Sequence, residues 1–68
     1  MFNKDKFRGK VFEKGKTLSK VAAFLGINPA TLTRKMSGDS DFTRSEIQQI
    51  SCFLNLSDEE MGTIFFGR

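Results

Sequence analysis

The stretch Thr17–Gly38, TLSKVAAFLGINPATLTRKMSG, decides how the chain folds. Leu18, Val21, Ala22 and Leu25 fall at i, i+3, i+4 and i+7, a spacing that gathers them on one face of a helix and turns that face inward. Gly26 stops this helix, because glycine takes the left-handed conformation of a helix end at little steric cost. Asn28 restarts helical structure: its side-chain oxygen can accept from the free amides of the next turn. Pro29 at the first helical position gives up only an N–H that would be unpaired there anyway. In the second helix, ending near Ser37, Leu32 and Met36 face inward, which leaves Ala30, Thr33, Arg34 and Ser37 on the opposite side. Two short helices joined by so tight a turn cross at a fixed angle.

Toward the N-terminus, a helix is expected from near Asn3 to about Lys14, with Phe7, Val11 and Phe12 as its buried stripe and Gly15 as its stop. Gly9 interrupts it. A glycine inside a helix costs about 1 kcal/mol relative to alanine, so either Gly9 admits a close helix contact or the first turns fray. Toward the C-terminus, Asp39, Ser40 and Asp41 form a polar loop, and Thr43 and Glu46 are spaced as a capping box with Phe42 and Ile47 as its hydrophobic staple. Ile47, Ile50, Phe53 and Leu54 continue as an inward stripe, and Asn55 is suited to a left-handed stop. The device recurs with Ser57 and Glu60, stapled by Leu56 and Met61, and opens a fifth helix reaching Phe66. No run of alternating β-branched residues argues for a strand, so the expected architecture is all-α, five short helices with brief connections.

A chain of 68 residues without an internal repeat is expected to be a single domain, 1–68, with little apolar material to spare for its core. The expected core is Phe7, Phe12, Val21, Leu25, Ile27, Leu32, Met36, Phe42, Ile47, Ile50, Phe53 and Leu54, with Cys52 as a buried or half-buried filler. One cysteine and no histidine leave too few ligands for a zinc site, and no metal or other cofactor is expected. The absence of histidine, of a nucleophile paired with a base and of a glycine-rich phosphate loop argues against an enzyme. No apolar run is long enough to span a membrane and none follows the N-terminal lysines as in a secretory signal, so the default expectation is a cytoplasmic protein.

Net charge is +3 and the pI about 9.4, but the charge is unevenly spread. Residues 1–20 carry Lys4, Lys6, Arg8, Lys10, Lys14, Lys16 and Lys20 against Asp5 and Glu13, a surplus of five positive charges. Beyond Gly38, Arg44 and Arg68 stand against Asp39, Asp41, Glu46, Asp58, Glu59 and Glu60, a surplus of four negative ones. Such polarity suits a domain that turns its basic part to a polyanion, nucleic acid being the commonest; the plainer alternative is a solvated lysine face.

The segment from Lys16 to Gly38 resembles the helix-turn-helix of the Cro and repressor class of phage and bacterial regulators, often called Xre-like. The five-helix layout is similar over nearly the whole chain. The resemblance rests on Val21 and Ala22 in the first helix, Gly26-Ile27 at the turn, Leu32 in the second helix and Ser37-Gly38 at its exit. The Asp41-Phe42-Thr43, Asn55-Leu56-Ser57 and Ile64-Phe65-Phe66 segments are similar to those of very short regulators from phage and prophage control regions of Gram-positive bacteria. The resemblance implies a lambda-repressor-like DNA-binding domain, acting as a homodimer on double-stranded operator DNA in a bacterial host cell. It makes the helix from Pro29 to Ser37 a recognition helix lying in the major groove.

On that implication Arg34 is the main base reader, since its guanidinium can donate two hydrogen bonds to guanine, while Thr33 and Ala30 would meet thymine methyl groups or, for Thr33, a phosphate. Phosphate contacts would come from Lys16, Thr17, Lys20, Asn28, Lys35 and Ser37, around the free amides at the starts of the two motif helices. A solvated face is the alternative for Arg34 and Lys35, and simple capping for Thr17. Leu18, Pro29 and Ala30 stand where many relatives carry polar readers, and Asp39 and Asp41 place negative charge in a loop that in relatives often approaches phosphate. A second function therefore stays open: a modulator or antirepressor that grips a partner repressor protein with the same fold, as some short phage regulators do. For the C-terminal end two readings also stand. Met61, Ile64, Phe65 and Phe66 form either a helix packed on its own core or an apolar patch covered by a second copy or a partner. The patch is the preferred reading, because adjacent rings point about 100° apart on a helix.

Overall fold

The computed structural model describes residues 1–67, which form five helices: α1 Lys4–Glu13, α2 Leu18–Leu25, α3 Pro29–Ser37, α4 Arg44–Phe53 and α5 Asp58–Phe66. No strand occurs among the described residues, and none of the helices is long and apolar enough to cross a membrane.

Each helix starts on a side chain that replaces a missing hydrogen bond. Asn3 accepts from the Lys6 amide at 3.0 Å, Thr17 from Lys20 at 3.1 Å and Asn28 from Ala30 at 2.8 Å, with Pro29 directly behind the last. At α4 and α5 both halves of a capping box form. Thr43 and Ser57 accept from the amides of Glu46 and Glu60, whose carboxylates take the Thr43 and Ser57 amides at 2.9 Å each. The stops are equally local. Gly26 and Gly38 adopt φ of +73° and +91°, left-handed values that a side chain would oppose, and Asn55 takes φ +53° after α4.

Two buried apolar residues come from each helical segment: Phe7 and Val11, Val21 and Ala22, Leu32 and Met36, Ile50 and Leu54, Ile64 and Phe65. α2 packs against both α3 and α4, and α1 against α5. Phe7 stands at the centre of an aromatic cluster in which Phe2, Phe42 and Phe65 have ring centroids 5.0 to 6.2 Å from their neighbours. The Asn3 amide donates to the Ile64 carbonyl at 2.6 Å, which fastens the N-terminal segment and Phe2 over α5.

Several expectations need correction. Phe12 is 85% exposed, because α1 aims its Phe7–Val11 stripe at the core and the next position lies about 100° round the helix. Cys52 is likewise exposed, two positions from both Ile50 and Leu54 and so on the far side of the helix from that stripe. Ile64 and Phe65 are not available to a partner. They belong to the core, since Phe2 and Phe42 supply the surface that buries the Phe65 ring and only Phe66 points outward, at 50% exposure. Gly9 neither meets a neighbouring helix nor breaks α1: a methyl group built there would find nothing within 4 Å.

Candidate nucleic-acid interface

Burial of Leu32 and Met36 fixes which side of α3 looks outward. The exposed residues Ala30, Thr33, Arg34 and Ser37 then form one continuous strip, as their spacing of three, one and three positions requires. Two members of this strip are already ordered by the helix itself. The Thr33 hydroxyl donates to the Pro29 carbonyl at 3.1 Å and the Ser37 hydroxyl to the Arg34 carbonyl at 3.2 Å, so each keeps its oxygen lone pairs for an incoming donor. Arg34 donates one N–H to the Thr31 hydroxyl at 3.2 Å. Among the described residues no carboxylate lies within ion-pair distance of its guanidinium, whose remaining donors face solvent.

The residues expected to meet phosphate divide into those left free and those engaged within the fold. Lys20 is exposed on the first turn of α2, beside the Thr17 cap, and Asn28 caps α3 at the surface. Lys16 is half-buried and holds its ammonium 4.9 Å from the centre of the Phe53 ring, a cation–π contact on a ring that stacks against Phe24 at 4.5 Å. Lys35 is turned inward. Its ammonium lies 3.1 Å from a Glu46 carboxylate oxygen and donates to the Asp41 carbonyl at 2.9 Å, which leaves its side chain only 10% exposed. Burial pushes the Glu46 carboxyl upward, but hydrogen bonds from the Thr43 amide and from Lys35, together with the lysine's charge, outweigh it and hold the group below the usual carboxylate range.

The basic N-terminal half is partly neutralised. Lys10 bridges Glu13 on its own helix at 3.2 Å and Glu60 on α5, beside a cleft of about 420 Å³ between α1 and α5. Hydrogen bonds from Lys10 and from the Ser57 amide pull the Glu60 carboxyl down to about 2. Lys4, Lys6 and Arg8 remain exposed. No group of three or more histidine, cysteine, aspartate or glutamate side chains among the described residues is placed to hold a metal ion.

Sequence reasoning missed the partners rather than the candidates. Glu46 carries a signal only for its capping box, and nothing in the spacing of Lys35 and Glu46 foretells their meeting across a loop. Phe24 was legible as an off-stripe aromatic, four positions after Lys20 and 46% exposed, but its stacking on Phe53 depends on how α2 crosses α4. No family model, curated protein or solved structure matches the chain.

Proposed function

We propose that the protein is a sequence-specific DNA-binding transcriptional regulator of the Cro/repressor type, in which α2, the Gly26–Asn28 turn and α3 act as the helix-turn-helix. The observation that carries the reading is the outer strip of α3. Small or short polar side chains, Ala30, Thr33 and Ser37, surround one solvent-facing guanidinium that has no acidic partner among the described residues, on a helix anchored by Leu32 and Met36. That is what entry into a major groove needs: little bulk, one bidentate donor and a rigid base. Arg34 reads a guanine, Ala30 and Thr33 contact thymine methyl groups or the backbone, and Lys20, Thr17, Asn28 and Ser37 meet phosphates beside the capped starts of α2 and α3. The regulator acts as a homodimer in the cytoplasm of a bacterial host, its two copies of α3 about 34 to 36 Å apart on one face of the duplex.

The reading is tested by selecting duplexes from a random pool with the wild-type protein and titrating the selected sequence at several salt concentrations. A DNA binder of this kind gives a steep fall of log K with log salt. A second reading, a modulator that grips a partner repressor, is favoured by the exposed aromatics Phe12 and Phe24 and by the exposed acidic residues Asp39 and Asp41 beside the end of α3. It predicts no duplex selection by the protein alone and recovery of binding activity only as a complex with a repressor.

A further inference from the structure

Lys35 sits among the residues that a DNA-binding α3 would offer to phosphate, yet its ammonium is spent inside the molecule. One carboxylate oxygen of Glu46 takes both the Thr43 amide at 2.9 Å and the Lys35 ammonium at 3.1 Å, so the group that closes the capping box of α4 also receives the lysine of α3. The same ammonium donates to the Asp41 carbonyl, while the Asp39 amide donates to the Arg34 carbonyl at 3.0 Å. The connection between α3 and α4 is thereby pinned at both ends. α4 in turn is seated in the core through Ile50 and Leu54.

From this geometry we infer that Lys35 and Glu46 form a clamp that sets the orientation of α3 on the body, and that Lys35 is a positioning residue rather than a phosphate contact. The inference rests on the DNA-binding reading. Recruiting Lys35 to a phosphate would strip the partner from a carboxylate whose side chain is only 15% exposed, and an enclosed charge left unpaired costs more than one screened phosphate contact returns. Two consequences separate a clamp from a contact. Loss of either partner releases the same restraint, so both losses act in the same direction. Removing a phosphate contact instead acts through charge, so losing the lysine weakens binding and losing the glutamate strengthens it.

The test compares wild-type protein with Lys35→Gln, Glu46→Gln, the double variant and Lys20→Gln, each titrated across a salt series against the duplex that the wild type selects from a random pool. Glutamine at position 46 can still close a capping box, so α4 keeps its start, and thermal melting checks that every variant is folded. The clamp predicts that Lys35→Gln and Glu46→Gln each weaken binding by about tenfold and that the double variant is about as weak as either single, because coupled residues are not additive. The slope of log K against log salt stays at its wild-type value in these three and becomes shallower by about 0.9 in Lys20→Gln. The inference is overturned if Lys35→Gln flattens the slope as Lys20→Gln does, or if Glu46→Gln binds more tightly than wild type. Should Lys35→Gln fail to fold, the sign of the Glu46→Gln effect decides alone. If the wild type selects no duplex, the DNA-binding reading itself has failed and the clamp has nothing to position.

Discussion

Gly9 lies inside an unbroken α1 with no neighbour to require it, since open space surrounds the point where a β-carbon would stand. Gly9→Ala should therefore stabilise the protein by about 0.5 to 1 kcal/mol, seen as a rise of several degrees in melting temperature, through backbone entropy alone. Phe7 and Phe12 make the opposite pair of tests. Phe7→Ala empties the centre of the aromatic cluster and should cost about 3 to 5 kcal/mol, enough to unfold much of so small a domain. Phe12→Ala removes a ring that is 85% exposed and should change stability by less than about 0.5 kcal/mol in chemical denaturation. Charge enters at Glu60. Its carboxyl titrates near 2 when folded and in the ordinary carboxylate range when unfolded, so the Lys10 pair supports the fold above that range and fades as pH falls toward 2. The raised Lys10 ammonium gives the mirror effect, support lost as pH climbs above its ordinary range. Denaturation of Glu60→Gln followed from pH 6 to pH 2 should consequently fall less steeply than that of the wild type; parallel curves would deny the ion pair a role.

At the level of the helices, nearly everything local was legible. Caps and stops are short-range chemistry: Asn28-Pro29, the two boxes at Thr43 and Ser57, and the stops at Gly26, Gly38 and Asn55 mark their helices within a few residues, and the observed boundaries follow them. Thr43→Ala should cost about 1 kcal/mol by thermal melting, because the hydroxyl's bond to the Glu46 amide is lost. What the sequence left dark is what folding brings together over distance. Phe65 was legible as apolar, but its burial depends on Phe2, more than sixty positions away in the chain, closing over it. Lys10 meets Glu60 for the same reason, and Lys35 meets Glu46 across a loop whose path spacing alone does not set.

For the whole molecule, the contrast between a basic N-terminal half and an acidic C-terminal half is real in the sequence and softened in the fold. Lys10 is neutralised by Glu13 and Glu60, Lys35 by Glu46, and Lys16 rests on the Phe53 ring. Of the cations up to Gly38, Lys4, Lys6, Arg8, Lys20 and Arg34 are left exposed, so fewer groups are available to a polyanion than the formal charge of that half suggests. Of the candidate site, the strip Ala30, Thr33, Arg34 and Ser37 was readable, because helical period and the burial of two neighbours determine it. Which cations remain available was not readable, because that follows from tertiary ion pairs. On the proposed function this strip meets the base edges of a duplex, which is checked by titrating Arg34→Ala against the duplex selected by the wild type. Loss of about 1 to 3 kcal/mol of affinity for that duplex, with relaxed preference at one base pair, is the predicted result. Unchanged affinity and unchanged sequence preference would contradict it.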